Sequence, residues 1–234
     1  MDGGYIPGRF PAHDVAMVFY LHGFASGPGS TKATAIAAGL AADRIVPVRL
    51  DLTPGPEGFE RSTPSSMLAI VEEALHSAPG PHVVIGSSLG GWLAALAASR
   101  NPSVARLVLL APAFRLHERW RARLAPADLA RWEREGDVEV HHHATNRPRR
   151  IGWAFFADAE DWPPFPVVHV PALCIAGGRD DTVPLEDVRA WVDRTPGARL
   201  VVVDDGHELT GSLPRIVELT RAFLDDAPSG RPRG

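Results

Sequence analysis

The chain has 234 residues, of which 45% are hydrophobic and 22% are charged, and its formal net charge is −4. This composition is typical of a globular protein with one well-buried core, and the slight acidity gives no broad attraction to nucleic acid. Residues 1–14 lack the apolar run of a signal peptide, and no apolar run approaches the length of a membrane span. We therefore expect a cytoplasmic protein that binds neither nucleic acid nor membranes.

Strand-like apolar runs alternate with helix-like runs along most of the chain. The predicted strands are 15–21, 45–50, 82–85, 105–110, 172–176 and 199–203, and the predicted helices are 31–41, 64–76, 91–98, 185–194 and 213–224. Such alternation predicts a parallel sheet with helices on both faces. We expect a single α/β domain over residues 1–234, with about six mainly parallel strands and a ligand site beyond their carboxyl ends.

The third predicted strand leads through a Gly-x-Ser-x-Gly turn into a helix. In this setting the backbone of Ser88 is strained, its Oγ is exposed at the end of the sheet, and only small residues such as Gly86 and Gly90 let the turn close. The helix N-terminus favours negative charge on a nearby oxygen. We predict Ser88 as a nucleophile and the N–H of Leu89 as an oxyanion donor, the alternative being a glycine-rich turn without chemistry.

Two later strand ends supply partners for this serine. Asp180 and Asp181 follow strand 172–176, and His207 follows strand 199–203, so all of them reach the same edge of the sheet as Ser88. The chain order serine, acid, histidine is that of a hydrolase triad, in which the histidine is the base and the acid orients it. Taken singly, the aspartates could be turn or cap residues, and His207 could be a solvated loop histidine.

The spacing of these residues resembles that of the α/β-hydrolase superfamily. Gly177-x-x-Asp180-x-x-Val183-Pro184, followed by Gly206-His207, is similar to the acid and histidine signatures of that superfamily, and this register selects Asp180 over Asp181. The run VFYLHGFASGPGSTK at 18–32, together with 86–91, resembles the small bacterial esterases of the YqiA/YcfP type. The resemblance implies a compact α/β-hydrolase fold and a serine esterase.

The first predicted strand ends in His22, Gly23 and Phe24. A glycine at this point can turn a backbone N–H toward the nucleophile, so we predict the Phe24 N–H as the second oxyanion donor. His22 precedes the serine in the chain, and we expect it to shape this loop rather than to act as the base. The alternative is a tight turn with no part in chemistry.

Residues 113–169 interrupt the alternation, and we expect them to form a helical or irregular cap. Large aromatic side chains in this segment could line a substrate pocket, or they could only pack the cap onto the domain. The candidate pocket residues are Trp120, Trp153, Phe155, Phe156 and Trp162. Three arginines at 147, 149 and 150 could meet an anionic substrate group, or they could form a solvated face.

Three further features carry no predicted chemistry. Adjacent histidines at 141–143 point to alternate faces of a strand and cannot all bind one ion, so we expect no metal site there; the alternative is two metal ions or a ligand supplied by a partner. The single cysteine, Cys174, lies in an apolar run typical of a core. We expect the tail 225–234 to be frayed.

Together these patterns predict a serine hydrolase that cleaves carboxylic esters or thioesters of small molecules without a cofactor. The alternatives are an amide or carbon–carbon bond hydrolase with the same triad, a silent binding protein of the same fold, and an interaction scaffold using the arginine-rich cap. The oligomeric state is not predicted.

Overall fold

The computed structural model of the protein describes residues 17–226. The predicted first strand begins outside these residues, at 15 and 16, and most of the predicted frayed tail, 227–234, lies outside them as well. Asp225 is the last residue of a helix.

A six-stranded parallel sheet forms the centre of the molecule. Residues 17–226 contain eight strands, six in this sheet and two in a separate pair: β1 Met17–Leu21, β2 Val48–Leu50, β3 His82–Ser87, β4 Val104–Leu110, β5 Asp137–His142, β6 Arg147–Gly152, β7 Ala172–Gly177 and β8 Ala198–Val203. The order in the main sheet is β2-β1-β3-β4-β7-β8, with every pair parallel, while β5 and β6 form a separate antiparallel pair. The predicted α/β fold with six parallel strands is confirmed.

Helices cover both faces of this sheet. They are α1 Thr31–Ala41, α2 Gly58–Arg61, α3 Pro64–His76, α4 Leu89–Arg100, α5 Leu116–Arg123, α6 Pro126–Glu135, α7 Trp153–Glu160, α8 Leu185–Val192 and α9 Leu213–Asp225. Residues of α1 and α9 pack on one face of the sheet, and residues of α3, α4 and α8 pack on the other. Successive residues of a strand pack alternately into the hydrophobic cores on the two faces of the sheet, as the two-residue period of a strand requires.

Most predicted elements lie within a few residues of the observed ones, and β2 is the largest exception. The predicted strand 45–50 begins only at Val48. Pro47 has no N–H to donate to a ladder, and the N–H of Ile45 donates to Leu40 O at 3.2 Å at the end of α1. The first half of the expected strand is therefore a connection.

The segment 113–169, here called the cap segment, connects β4 to β7. It contains α5, α6, the β5–β6 hairpin and α7. Trp132, Phe155 and Phe156 are buried in its interior. Neither the hairpin nor α2 was predicted from the sequence.

No helix within residues 17–226 is long and apolar enough to cross a membrane. Cys174 lies in β7 and is fully buried, as expected of a core residue.

Candidate active site

Ser88 lies at the turn between β3 and α4, in a backbone conformation that few non-glycine residues adopt. Its φ is 53° and its ψ is −117°. The turn is held by the Ser88 N–H, which donates to Leu110 O at 2.8 Å, and by Ser88 O, which accepts from Ala113 N at 2.9 Å. Backbone strain of this kind is common where a side chain must be presented at a functional site.

The two glycines of the elbow are required by close backbone approach. A Cβ on Gly86 would lie 2.2 Å from Gly90 O, and a Cβ on Gly90 would lie 2.4 Å from Leu21 O. Both distances are far below van der Waals contact with backbone atoms that cannot move aside. The predicted elbow role of Gly86 and Gly90 therefore has a direct steric reason.

His207 and Asp180 meet Ser88 in one chain of hydrogen bonds. His207 Nε2 lies 2.9 Å from Ser88 Oγ, and His207 Nδ1 lies 2.8 Å from Asp180 Oδ2. An ionised carboxylate can only accept, so Nδ1 carries the proton and Nε2 is free to accept from the serine hydroxyl. The structure thus brings together the three residues predicted from separate strand ends.

The carboxylate of Asp180 is almost fully buried but well satisfied. Its Oδ1 accepts from the N–H groups of Thr182 at 2.8 Å and Val183 at 2.7 Å. Burial by itself would raise the pKa of this carboxyl, but the hydrogen bonds from His207, Val183 and Thr182 together hold the pKa below its usual value. Asp180 therefore stays ionised and keeps its orienting hydrogen bond to His207.

The predicted oxyanion donors lie beside the serine. Leu89 is the first residue of α4, and the loop after β1 approaches so closely that a Cβ on Gly23 would lie 3.4 Å from the Cβ of Ser88. Within residues 17–226 no hydrogen bond uses the N–H of Leu89 or of Phe24. The absence of a partner among the described residues is what an oxyanion donor requires.

His22 is buried beneath this loop and does not approach the serine by hydrogen bonding. Its Nε2 accepts from Leu52 N at 3.1 Å and its Nδ1 faces Gly23 O at 2.9 Å. Burial lowers the pKa of the imidazole, so the ring is neutral. These contacts agree with a role in shaping the loop that carries Phe24.

A cavity of about 820 Å³ opens onto Ser88 and His207. Its walls come from the loop after β1 and the start of α1, from α5 of the cap segment, from the Thr182–Val183 turn and from the residues after His207. Trp120 is the one predicted pocket residue that lines it. The cavity is large enough for a small-molecule substrate.

The other four aromatic residues predicted for the pocket do not line this cavity. Phe155 and Phe156 are buried, with Trp153 packed on Phe156 at a ring distance of 4.9 Å, and Trp162 donates from Nε1 to Ser65 Oγ at 3.0 Å. Phe24, Trp120 and Phe155 lie in mutual ring contact, at 5.1 to 5.4 Å. These four residues therefore do not form the predicted pocket wall. The rings of Trp153, Phe155 and Phe156 pack against other aromatic rings instead, and burial of the rings against one another stabilises the cap segment.

Three cationic residues line the cavity, and the sequence did not indicate any of them as a binding residue. Lys32 is largely buried and donates to Glu208 O at 3.0 Å. Arg119 and Arg123, four residues apart on α5, donate to the carbonyls of Thr182 and Asp181. Their spacing of four residues predicts that they share one face of the helix, but nothing in the sequence distinguishes them as binding residues from the other arginines of the cap segment.

The arginines that the sequence did single out lie elsewhere. Arg149 pairs with Glu60 at 2.6 Å and Arg150 pairs with Asp137 on the β5–β6 hairpin, while Arg147 is exposed. None of these three lines the cavity. They fit the alternative of a solvated, ion-paired face.

The three adjacent histidines separate as the strand period requires. His142 is buried and packs edge-on against Phe59 at 4.7 Å, whereas His141 and His143 are exposed and contact each other at 5.1 Å. Within residues 17–226 no group of three or more histidine, cysteine, aspartate or glutamate side chains is arranged to hold a metal ion.

Comparison with solved structures places this architecture among the α/β-hydrolases. Mouse alpha/beta hydrolase domain-containing protein 10 is 22% identical with a TM-score of 0.77, covering 94% of this chain and 92% of its own. Est1E from Butyrivibrio proteoclasticus, with ferulic acid bound, is 19% identical with a TM-score of 0.77 and coverages of 90% and 88%. The alpha/beta hydrolase GrgF from Penicillium is 15% identical, with a TM-score of 0.69 and coverages of 90% and 91%.

No curated protein matches the chain in sequence. Residues 17–148, more than half of the chain, match the model of the uncharacterised protein family UPF0227. The protein therefore belongs to the UPF0227 family and has the α/β-hydrolase fold, which confirms the resemblance carried by its sequence motifs.

Proposed function

We propose that the protein is a serine hydrolase that cleaves carboxylic esters or thioesters of small molecules. Ser88 is the nucleophile, His207 the general base and acid, and Asp180 the orienting carboxylate. The observation that carries the proposal is the hydrogen-bond chain from Ser88 Oγ through His207 to Asp180, at 2.9 and 2.8 Å, beside a cavity of about 820 Å³. A serine hydroxyl is a weak nucleophile, and this arrangement is what activates it.

In the first step Ser88 Oγ attacks the carbonyl carbon while His207 Nε2 takes the hydroxyl proton. The carbonyl oxygen becomes an oxyanion, for which the N–H groups of Leu89 and Phe24 are the donors. As the tetrahedral intermediate collapses, the bond to the alcohol or thiol breaks. His207 returns its proton to that leaving group, and the acyl group remains on Ser88.

In the second step water takes the place of the leaving group. His207 Nε2 removes a proton from water, whose oxygen attacks the acyl carbon, and the same N–H groups hold the second oxyanion. Collapse releases a carboxylic acid and returns the proton to Ser88 Oγ. Asp180 remains ionised throughout and stabilises the imidazolium form of His207.

Hydrolysis of p-nitrophenyl esters from acetate to palmitate tests this proposal. We expect turnover by the wild type, little or none by Ser88→Ala, and wild-type turnover by Ser99→Ala, whose hydroxyl bonds Leu96 O within α4. The chain-length optimum measures how much acyl chain the cavity accepts. Equal turnover by wild type and Ser88→Ala would contradict the proposal.

Labelling with a fluorophosphonate provides an independent test of the nucleophile. We expect mass spectrometry to find one adduct, on the peptide that contains Ser88, and no adduct in Ser88→Ala. An adduct on another residue, or no adduct in an enzyme that also turns over no ester, would argue against a serine mechanism.

A further inference from the structure

The cavity beside Ser88 differs from an apolar acyl pocket because cationic side chains form part of its wall. The cations among the described lining residues are Lys32, Arg119 and Arg123, and Glu208 is the carboxylate among them. Lys32 lies 3.4 Å from the Glu208 carboxylate, so these two charges offset each other.

Arg119 and Arg123 have neutral partners at the cavity wall. Arg119 Nη1 donates to Thr182 O at 2.8 Å, and Arg123 Nη2 donates to Asp181 O. The nearest carboxylate to Arg119, that of Asp187, is 3.9 Å away and also accepts from Arg115 at 3.0 Å. Within residues 17–226 no carboxylate lies within ion-pair distance of Arg123. The charge of this pair is therefore only partly compensated.

The two guanidinium groups also raise each other's energy. The Arg119 side chain is only 12% exposed, and burial lowers the pKa of Arg119 to about 10; the charge of Asp187 opposes this shift, and the charge of Arg123 adds to it by a smaller amount. Arg119 therefore stays charged at neutral pH. A bound anion would offset both the cost of burying the Arg119 charge and the repulsion between the two cations.

We propose, on the basis of the function proposed above, that the substrate carries an anionic group, a carboxylate or a phosphate, which binds Arg119 and Arg123 while the ester or thioester lies at Ser88. Guanidinium groups match the planar oxygens of carboxylate and phosphate and form charge-assisted hydrogen bonds to them. Trp120, between the two arginines in sequence, adds apolar surface to the same wall. The anion can belong to the acyl group or to the leaving group.

Matched substrate pairs that differ in one charge test the proposal by turnover. For the acyl side, the p-nitrophenyl monoester of adipic acid is compared with its methyl ester. For the leaving-group side, S-butanoyl pantetheine 4′-phosphate is compared with S-butanoyl pantetheine. We expect kcat/KM to favour the anion at least tenfold in one of these pairs, and the preference to shrink as salt is added.

Arginine variants show whether the preference comes from this site. Arg123→Gln should lower the ratio of anionic to neutral turnover severalfold, and Arg123→Glu should lower it further. Arg121→Gln is the matched control, because Arg121 lies on the same helix but faces Glu160 at 3.6 Å and does not line the cavity. An unchanged ratio in both Arg123 variants would overturn the proposal.

Binding to Ser88→Ala separates this proposal from the proposed reaction. Calorimetry compares monomethyl adipate with dimethyl adipate, and pantetheine 4′-phosphate with pantetheine. Tighter binding of one anion, lost in Ser88→Ala with Arg123→Gln, supports the site even if no ester is hydrolysed. Ester turnover that requires Ser88 but shows no charge preference, or the absence of binding by either anion, overturns the anion site and leaves the proposed reaction to its own tests.

Discussion

The carboxyl edge of the sheet and the cap segment position their side chains by different means. At the sheet edge the side chains are positioned mainly by the backbone: Ser88 is fixed by a strained turn between two glycines, and Asp180 by two backbone N–H groups. In the cap segment, side chains pack on side chains, as in the contact between Trp153 and Phe156. The proposed reacting groups therefore follow from local sequence, whereas the shape of the cavity beside them depends on long-range packing.

The largest expected effect concerns the two histidines near the site. His207→Gln should lower kcat/KM about 10⁴-fold or more, since loss of one member of a triad removes most of the catalysis. His22→Gln should cost less than about 100-fold, because that residue supports the Phe24 loop and glutamine can still accept from Leu52 N. Ester turnover by both variants decides the matter. If the two losses were equal, the assignment of His207 as the base would not stand.

Truncation of cap aromatics should separate packing from substrate contact. Phe155→Ala should reduce the free energy of unfolding by about 3–5 kcal/mol, because the ring is fully buried. Trp120→Ala should cost less stability, because that ring is partly exposed to the cavity, but it should change KM across the ester series. Urea unfolding and steady-state kinetics on both variants test this. A larger loss of stability in Trp120→Ala, together with a changed KM in Phe155→Ala, would contradict the assignment of Phe155 to packing and of Trp120 to substrate contact.

Overpacking the elbow should damage the sheet edge directly. Gly90→Ala would place a Cβ 2.4 Å from Leu21 O, so we expect a loss of about 3 kcal/mol in unfolding free energy together with a loss of turnover. Gly29→Ala is the matched control for stability, since a Cβ there meets nothing within 4 Å. Equal stability of the two variants would show that the backbone near Gly90 can yield.

The smallest expected effect is a pH dependence of stability through His22. Burial lowers the pKa of His22 from its usual value of 6.5. Below about pH 6.5 the imidazole is therefore protonated in the unfolded chain while it is still neutral in the folded protein. Wild-type stability should therefore fall as the pH drops below this value, whereas His22→Gln lacks that contribution. Urea unfolding at pH 7.5 and 5.5 should show a larger stability difference between the two proteins at pH 7.5. A constant difference would contradict a buried neutral imidazole.

Sequence alone predicts the sheet and the positions of the three proposed reacting groups because their signals are local. The bounds of α1 and α3 coincide with the predicted 31–41 and 64–76, where Ser30 and Thr63 cap the helices through side-chain hydrogen bonds. Ser88, Asp180 and His207 each follow a strand whose direction is set by the βαβ pattern. Parallel strands deliver them to one edge without any knowledge of side-chain packing.

The cap segment was not predictable in the same way. Val138, Val140 and His142 alternate toward the interior of the β5–β6 hairpin, which is a strand signal, but histidines and charged residues around them obscure it. Aromatic composition indicated large buried rings, yet it could not tell a substrate wall from a packed interior. That distinction depends on which rings meet one another across the fold.

The docking of α5 on the turn after Asp180 has a consequence for engineering. Arg119 and Arg123 donate to the carbonyls of Thr182 and Asp181, in the same short turn whose N–H groups hold the Asp180 carboxylate. A chimera that received a cap from another protein of the α/β-hydrolase fold would leave these two carbonyls without their donors. We expect turnover to fall in such transplants unless the donor helix carries hydrogen-bond donors at the positions equivalent to 119 and 123, so that a change of cap alters the catalytic rate as well as the specificity.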